Sequence, residues 1–307
     1  MKSEYIVLAT VDGDPGDTFK NSRLSNMKDM NWIYDEKNCY SQYKKTVECY
    51  LELFSEFNLE GKITWFLNER DTGWTEHFND LIKIMSKRGD DIALHTHIGT
   101  VYQEVALTDE HQRSKAYEII KLAKDSLEKV TNSKITIHRF GCYFQDQYFY
   151  SIIRKLGITL ISDVVPGVYL KDLEGHILDN ENIPLNTQPW KHDEYNWMDY
   201  TSRKGFFTHI PVTACSFGED PVLKAQQKEL KGHQLKNIDV IDDISRKSEK
   251  YGIKIICWDV HPNEIQHTNG SIDYAKLSLF KSCLVNIQKG LSPVYMSFNE
   301  LNKYLNI

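Results

Sequence analysis

Two short polar pairs and two further strand ends carry the residue types that do chemistry in this 307-residue chain. The run Tyr5 to Val11 is apolar and β-branched, and it stops in Asp12-Gly13-Asp14-Pro15-Gly16-Asp17. A later run, Asp91-Ile92-Ala93-Leu94, ends in His95-Thr96-His97. A third ends at His138-Arg139, and a fourth, Ile253 to Trp258, ends in Asp259-Val260-His261-Pro262. Residues two apart on a strand share a face, so Asp12 and Asp14 pair, as do His95 and His97. Two imidazoles and one carboxylate around a cation leave a position open for water, the layout of a hydrolytic zinc site. A second carboxylate beside it can take the proton of that water. The plainer alternatives are a solvated acidic turn for the aspartates and a hydrogen-bonded surface pair for the histidines.

Such groups work only if the chain gathers them, and the intervening segments predict how. Val47, Tyr50, Leu51, Phe54 and Phe57 follow helical spacing within 40–57, and Ile63 to Leu67 reads as a strand. A helix bearing Phe78, Leu81, Ile82 and Met85 stops near Gly89. The rhythm continues with a helix over 109–130, a strand over 135–140, a helix over 146–155 and a strand over 158–163. Residues 165–205 interrupt it with Pro, Gly and polar runs, an irregular insertion or small hairpin. It resumes with a strand over 206–212, a helix near 238–250, the strand 253–258, a helix over 271–288, and a short strand plus helix over 294–305. Strands alternating with helices predict parallel βα units, whose carboxyl ends gather on one face where sites form. Six or seven units fall short of eight, so the expected fold is α/β, a distorted or incomplete (β/α) barrel, with residues 1–307 as one domain.

Composition narrows the partners. Apolar residues make up 41 % and charged residues 26 %, as in ordinary globular proteins. The net charge of −6 with no long basic run argues against nucleic acid. No apolar stretch of about 18 residues predicts a membrane span. The many aromatics, 17 Tyr, 13 Phe and 6 Trp, suit a thick core or a groove that stacks on sugar rings. Six scattered cysteines at 39, 49, 142, 215, 257 and 283 read as reduced thiols. Met1-Lys2-Ser3-Glu4 leads at once into the first strand, so the expectation is a cytoplasmic protein.

The order of motifs resembles the NodB-type polysaccharide deacetylases, carbohydrate esterase family 4. Carrying the resemblance are Thr10-Val11-Asp12-Gly13-Asp14, Gly89 to His97, Arg139-Phe140-Gly141-Cys142-Tyr143, Leu156-Gly157-Ile158 with Ser162 to Gly167, and Asp259-Val260-His261-Pro262. It implies the NodB-homology fold, a distorted barrel, and a metal-dependent hydrolase that removes an N-acetyl group from an amino sugar. It also implies roles. Asp12 is the general base, Asp14 and His95 are metal ligands, Arg139 orients the base, and His261 is the general acid. The backbone N–H near Tyr143 would hold the oxyanion, and the expected cation is Zn²⁺.

Two departures qualify the match. Gly13 separates aspartates that are adjacent in most members. The usual second histidine, four residues after His95, is Gly99, and same-face geometry makes His97 the substitute. The Asp/Trp motif that supports the acid is not evident; Trp197 and Trp258 are candidates, and Trp197 is taken as the substrate contact. With no export signal, the expected partner is an amino-sugar-containing small molecule or glycan inside the cell, and a homo-oligomer stays open. Deformylation, de-O-acetylation or cyclic-amide hydrolysis at the same site, and a metal-free saccharide-binding protein, are the alternatives.

Overall fold

In β1 (Ile6–Asp12) all seven residues are buried, because the strand is covered on both faces. Odd positions Val7, Ala9 and Val11 pack with helix residues such as Val47, Phe54 and Leu284. Even positions Ile6 and Leu8 pack with Phe66, Ala93, Ile137, Leu160 and Cys257, all from other strands. The even face of β1 therefore lines the inside of a curled sheet and the odd face carries the helices. The computed structural model describes residues 5–13, 36–69, 73–97, 110–143, 145, 147–167, 169–171, 177–184, 187–215, 228–229, 254–267 and 270–305.

Around β1 the chain alternates as expected: α1 (Glu36–Glu56), β2 (Ile63–Leu67), α2 (Trp74–His77), α3 (Asn79–Arg88) and β3 (Asp91–Thr96). Then come α4 (Glu110–Thr131), β4 (Ile137–Phe140), α5 (Gln147–Lys155) and β5 (Leu160–Ile161). The expected insertion holds a hairpin of β6 (Tyr169–Lys171) with β7 (Ile177–Asp179), and β8 (Trp190–His192). β9 (Phe207–His209), β10 (Ala214–Cys215), β11 (Lys228–Glu229), β12 (Ile255–Val260), α6 (Tyr274–Leu291), β13 (Val294–Tyr295) and α7 (Phe298–Tyr304) follow. The helix expected near 238–250 lies outside the described residues.

The main sheet runs β12-β1-β2-β3-β4-β5-β9-β8, with β13 on β1. Its ladders are parallel apart from the antiparallel β8–β9 pair. Closure is made by backbone beyond β9 rather than by a strand: Val212 N–H donates to the Val164 carbonyl, and Thr213 N–H to the Cys257 carbonyl, both at 2.9 Å. The architecture is thus the incomplete (β/α) barrel of the expectation. The α3 helix ends where Gly89 adopts a left-handed φ of 85°, a conformation that an L side chain resists. Helix α7 starts with a capping box between Ser297 and Glu300.

Candidate active site

Because the strands are parallel, their carboxyl ends open on one side, and the inward-facing positions there are polar. Thr10, Asp12, His95, Arg139, Ser162 and Asp259 are all buried. Register explains the convergence. Thr10 lies beside Asp259, and His95 beside Arg139. Phe66 lies beside Ala93, so two residues further on Asn68 comes level with His95.

Arg139 is fully buried and organises this end. Its Nη1 donates to Asp12 Oδ1 at 2.7 Å and to Thr10 Oγ1 at 3.0 Å. Its Nε reaches the Ser162 carbonyl at 3.2 Å, and its Nη2 the Ser162 hydroxyl at 3.0 Å. The guanidinium lies 4.0 Å from the centre of the Phe66 ring. Burial works against its charge, but Asp12 and then Tyr143, Cys257 and Asp259 outweigh that, so its affinity for the proton rises. Arg139 is charged at any working pH and holds the Asp12 carboxylate as an ion.

His95 and His97 meet on this face. Their Nε2 atoms are 3.1 Å apart and their rings cross at 86°. His95 Nδ1 lies 3.0 Å from the Arg139 carbonyl, which only accepts, so Nδ1 carries the proton and Nε2 presents a lone pair. Two imidazoles on one tetrahedral zinc place their nitrogens roughly 3.3 Å apart. The described part of the donor set therefore fits a shared cation. Asp14, the third expected ligand, and Gly99 lie outside the described residues.

The late strand supplies the opposite wall. His261 Nδ1 is 3.5 Å from Glu264 Oε1 and 3.9 Å from Asp259 Oδ2, and Tyr50 Oη donates to the His261 carbonyl at 3.2 Å. Donor atoms of Asp12, Asp259 and His261 all lie within 4.8 Å of one another, a second group that could hold an ion. Asp12 in that group already carries a guanidinium, which repels a cation.

Tyr143 stays at this end, its ring centre 5.9 Å from the Arg139 guanidinium, whereas His138, Trp197 and Trp258 pack elsewhere. His138, grouped with Arg139 in sequence, faces outward: its Nε2 is 2.9 Å from Thr96 Oγ1, and burial, followed by His95, lowers its pKa well below the usual value. Trp197 packs against Tyr150 with ring centres 6.1 Å apart, and its carbonyl accepts from Trp190 Nε1 at 3.2 Å. Trp258 is buried among the helices. Tyr143 closes the short 3-10 turn Gly141–Tyr143 with a left-handed φ of 53°, where the chain leaves β4.

Strand-end spacing assigns no role to Asn68 or Asp163. Asn68 is buried at the open end, one residue past β2 and on the same face as Thr64 and Phe66. Asp163 Oδ1 accepts from Phe140 N–H at 2.6 Å, in place of a strand carbonyl, which is why β5 is so short. Burial pushes its carboxyl up to about 8, against the pull of the Phe140 N–H and Arg139. Its N–H donates to His209 Nε2 at 3.1 Å, and His209 Nδ1 lies 3.2 Å from His192 Nε2. His192 Nδ1 lies 2.9 Å from the Asp193 carbonyl, so each ring is neutral and carries its proton on Nδ1.

The residue between the two aspartates is clamped. Gly13 N–H donates to the Phe66 carbonyl at 2.7 Å. Its own carbonyl accepts from Trp74 Nε1 at 2.7 Å and Tyr43 Oη at 2.8 Å.

Comparison with known proteins agrees with this architecture. Residues 34–161 match the family model described as polysaccharide deacetylase. That span includes His95, His97 and Arg139; Asp12, Asp14 and His261 lie outside it. No curated protein matches the sequence. A Pseudomonas aeruginosa PAO1 structure described as a polysaccharide deacetylase superposes with a TM-score of 0.59 at 12 % identity, covering 98 % of this chain and 90 % of that one. One from Mycobacterium smegmatis, likewise described, gives 0.57 at 12 % identity, covering 99 % and 91 %. The 4-alpha-glucanotransferase from Thermococcus litoralis gives 0.57 at 14 % identity, covering all of this chain and 40 % of that one. The resemblance to polysaccharide deacetylases thus holds in sequence over residues 34–161 and in fold over nearly the whole chain. The glucanotransferase shows that this fold alone does not fix a reaction.

Proposed function

We propose that the protein is a metal-dependent hydrolase that removes an N-acetyl group from an amino sugar. The observation that carries this reading is the meeting of the Asp12–Arg139 ion pair and the His95–His97 pair at the open end of one barrel. Asp14, His95 and His97 would hold a divalent cation, Zn²⁺ by the chemistry of the donors. When bound, it supplies a Lewis acid that polarises the amide carbonyl and makes water more acidic.

The chain's own groups do the rest. Arg139 keeps the Asp12 carboxylate ionised and pointed into the site, so that Asp12 accepts the proton of the attacking water. His261, with the Glu264 and Asp259 carboxylates on its Nδ1 side, gives a proton to the departing nitrogen. The sharp turn at Tyr143 supports a backbone N–H donor to the oxyanion. The free thiols Cys49 and Cys257 suit a reducing compartment, and we favour a cytoplasmic amino-sugar precursor or small glycan as substrate. None of the described helices is long and apolar enough to cross a membrane.

The test is acetate release from N-acetylated amino sugars, read beside metal content. Asp12→Asn is expected to abolish turnover and retain the metal, whereas His95→Ala loses both. Full metal in the purified His95→Ala protein would break the ligand assignment.

A further inference from the structure

Resting on the reading that His95 and His97 share a cation, we infer that Gly141 is a positioning residue that makes room for His97 as the second imidazole. A methyl group built on Gly141 would lie 2.5 Å from His97 Nδ1 and 2.6 Å from its Cγ and Cε1. Carbon atoms that close overlap, so a side chain at 141 and this position of the His97 ring exclude each other. The ring fills the space left by the absent Cβ, and from there its Nε2 reaches His95 Nε2 at 3.1 Å.

Backbone conformation does not account for the glycine. The non-clamped glycines Gly61, Gly73, Gly89, Gly157, Gly167, Gly205 and Gly270 have positive φ, but Gly141 does not, so alanine meets no backbone penalty there. Nor is Gly141 isolated from the other histidine. The carbonyl of Arg139, two residues earlier, accepts the hydrogen bond from His95 Nδ1. The exit of β4 thus sets both rings, one by a hydrogen bond and one by a vacancy in the side-chain layer. Continuing the register that sets His95 beside Arg139 and Thr96 beside Phe140 brings His97 level with Gly141, so a histidine at this spacing needs the neighbouring chain to be bare there.

The experiment titrates Zn²⁺ into chelator-treated protein by calorimetry, with melting of the metal-free protein measured alongside. Gly141→Ala is expected to weaken Zn²⁺ binding by about 10- to 100-fold, the scale for losing a ligand-orienting contact. Melting of the metal-free protein should stay unchanged. In a His97→Ala background, where the ring is gone, adding Gly141→Ala should cost no further affinity and no further stability. The proposal is overturned if Gly141→Ala binds Zn²⁺ like the parent while His97→Ala does not, or if its effect persists in the His97→Ala background. Unaltered binding in His97→Ala itself would instead overturn the shared-cation reading.

Discussion

Replacing Arg139 with methionine removes the charge from the centre of the polar end while keeping an unbranched apolar stem. Five hydrogen bonds go with it, to Asp12, Thr10, the Cys257 sulfur and twice to Ser162, and the Asp12 carboxylate, 5 % exposed, stays behind without its guanidinium. Breaking a buried ion pair from one side costs about 3–5 kcal/mol, because the remaining charge keeps its desolvation cost. In a domain of this size that corresponds to a melting temperature lowered by roughly 5–8 °C. Arg139→Lys keeps the charge but offers a point rather than a fork, and it forfeits the Ser162 contacts; about 1–3 kcal/mol should be lost. The decisive variant is Asp12→Asn with Arg139→Met, which neutralises both partners and should recover part of the single-variant loss. Thermal melts of chelator-treated protein, checked by urea titration, read all three. The reasoning fails if Arg139→Met melts within about 2 °C of the parent, or if the double variant melts below Arg139→Met.

Two pH predictions follow from the buried titratable groups, and their signs are opposite. The folded value of Asp163, about 8, lies above the unfolded 3.8, so its contribution is complete below pH 3.8 and is lost as pH rises through 8. Asp163→Asn mimics the protonated form, so its melting advantage over the parent should widen from pH 5 to pH 8; parallel curves would refute this. His192 is lowered to about 4 from 6.5, mainly by burial, so its contribution is present above pH 6.5 and is lost as pH falls through 4. In His192→Gln the drop in melting temperature between those values should be shallower, and an unchanged slope would remove His192 as its cause.

The alternation of strands and helices was legible because each helix has one apolar stripe and each strand a compact apolar run. Helix α1 nevertheless starts at Glu36 rather than at 40, since its first turn carries no apolar stripe to mark it. Which parity of a strand faces inward was not legible, because both faces of these strands are buried and apolar. That is why His138 and Arg139, neighbours in sequence, could be grouped together although they point to opposite sides. The paired positions Asp12/Asp14 and His95/His97 escape the problem, since residues two apart share a face whichever it is. The strand expected over 158–163 shortens to Leu160–Ile161 because Asp163 uses its side chain where a ladder carbonyl would stand, and no periodicity records that. The three-residue strand β8 and the fit of Gly141 under His97 arise only from tertiary contact.

The clamp on Gly13 has a consequence for how distant parts of the chain communicate. Trp74 and Tyr43 sit on separate helices, yet both fasten the same carbonyl, one residue past the proposed base. Whatever pulls either aromatic away, whether an arriving sugar or a substitution in the segment that follows β2, also slackens the tip of the first strand. Catalytic alignment should therefore be sensitive to a substitution at Trp74, some sixty positions downstream.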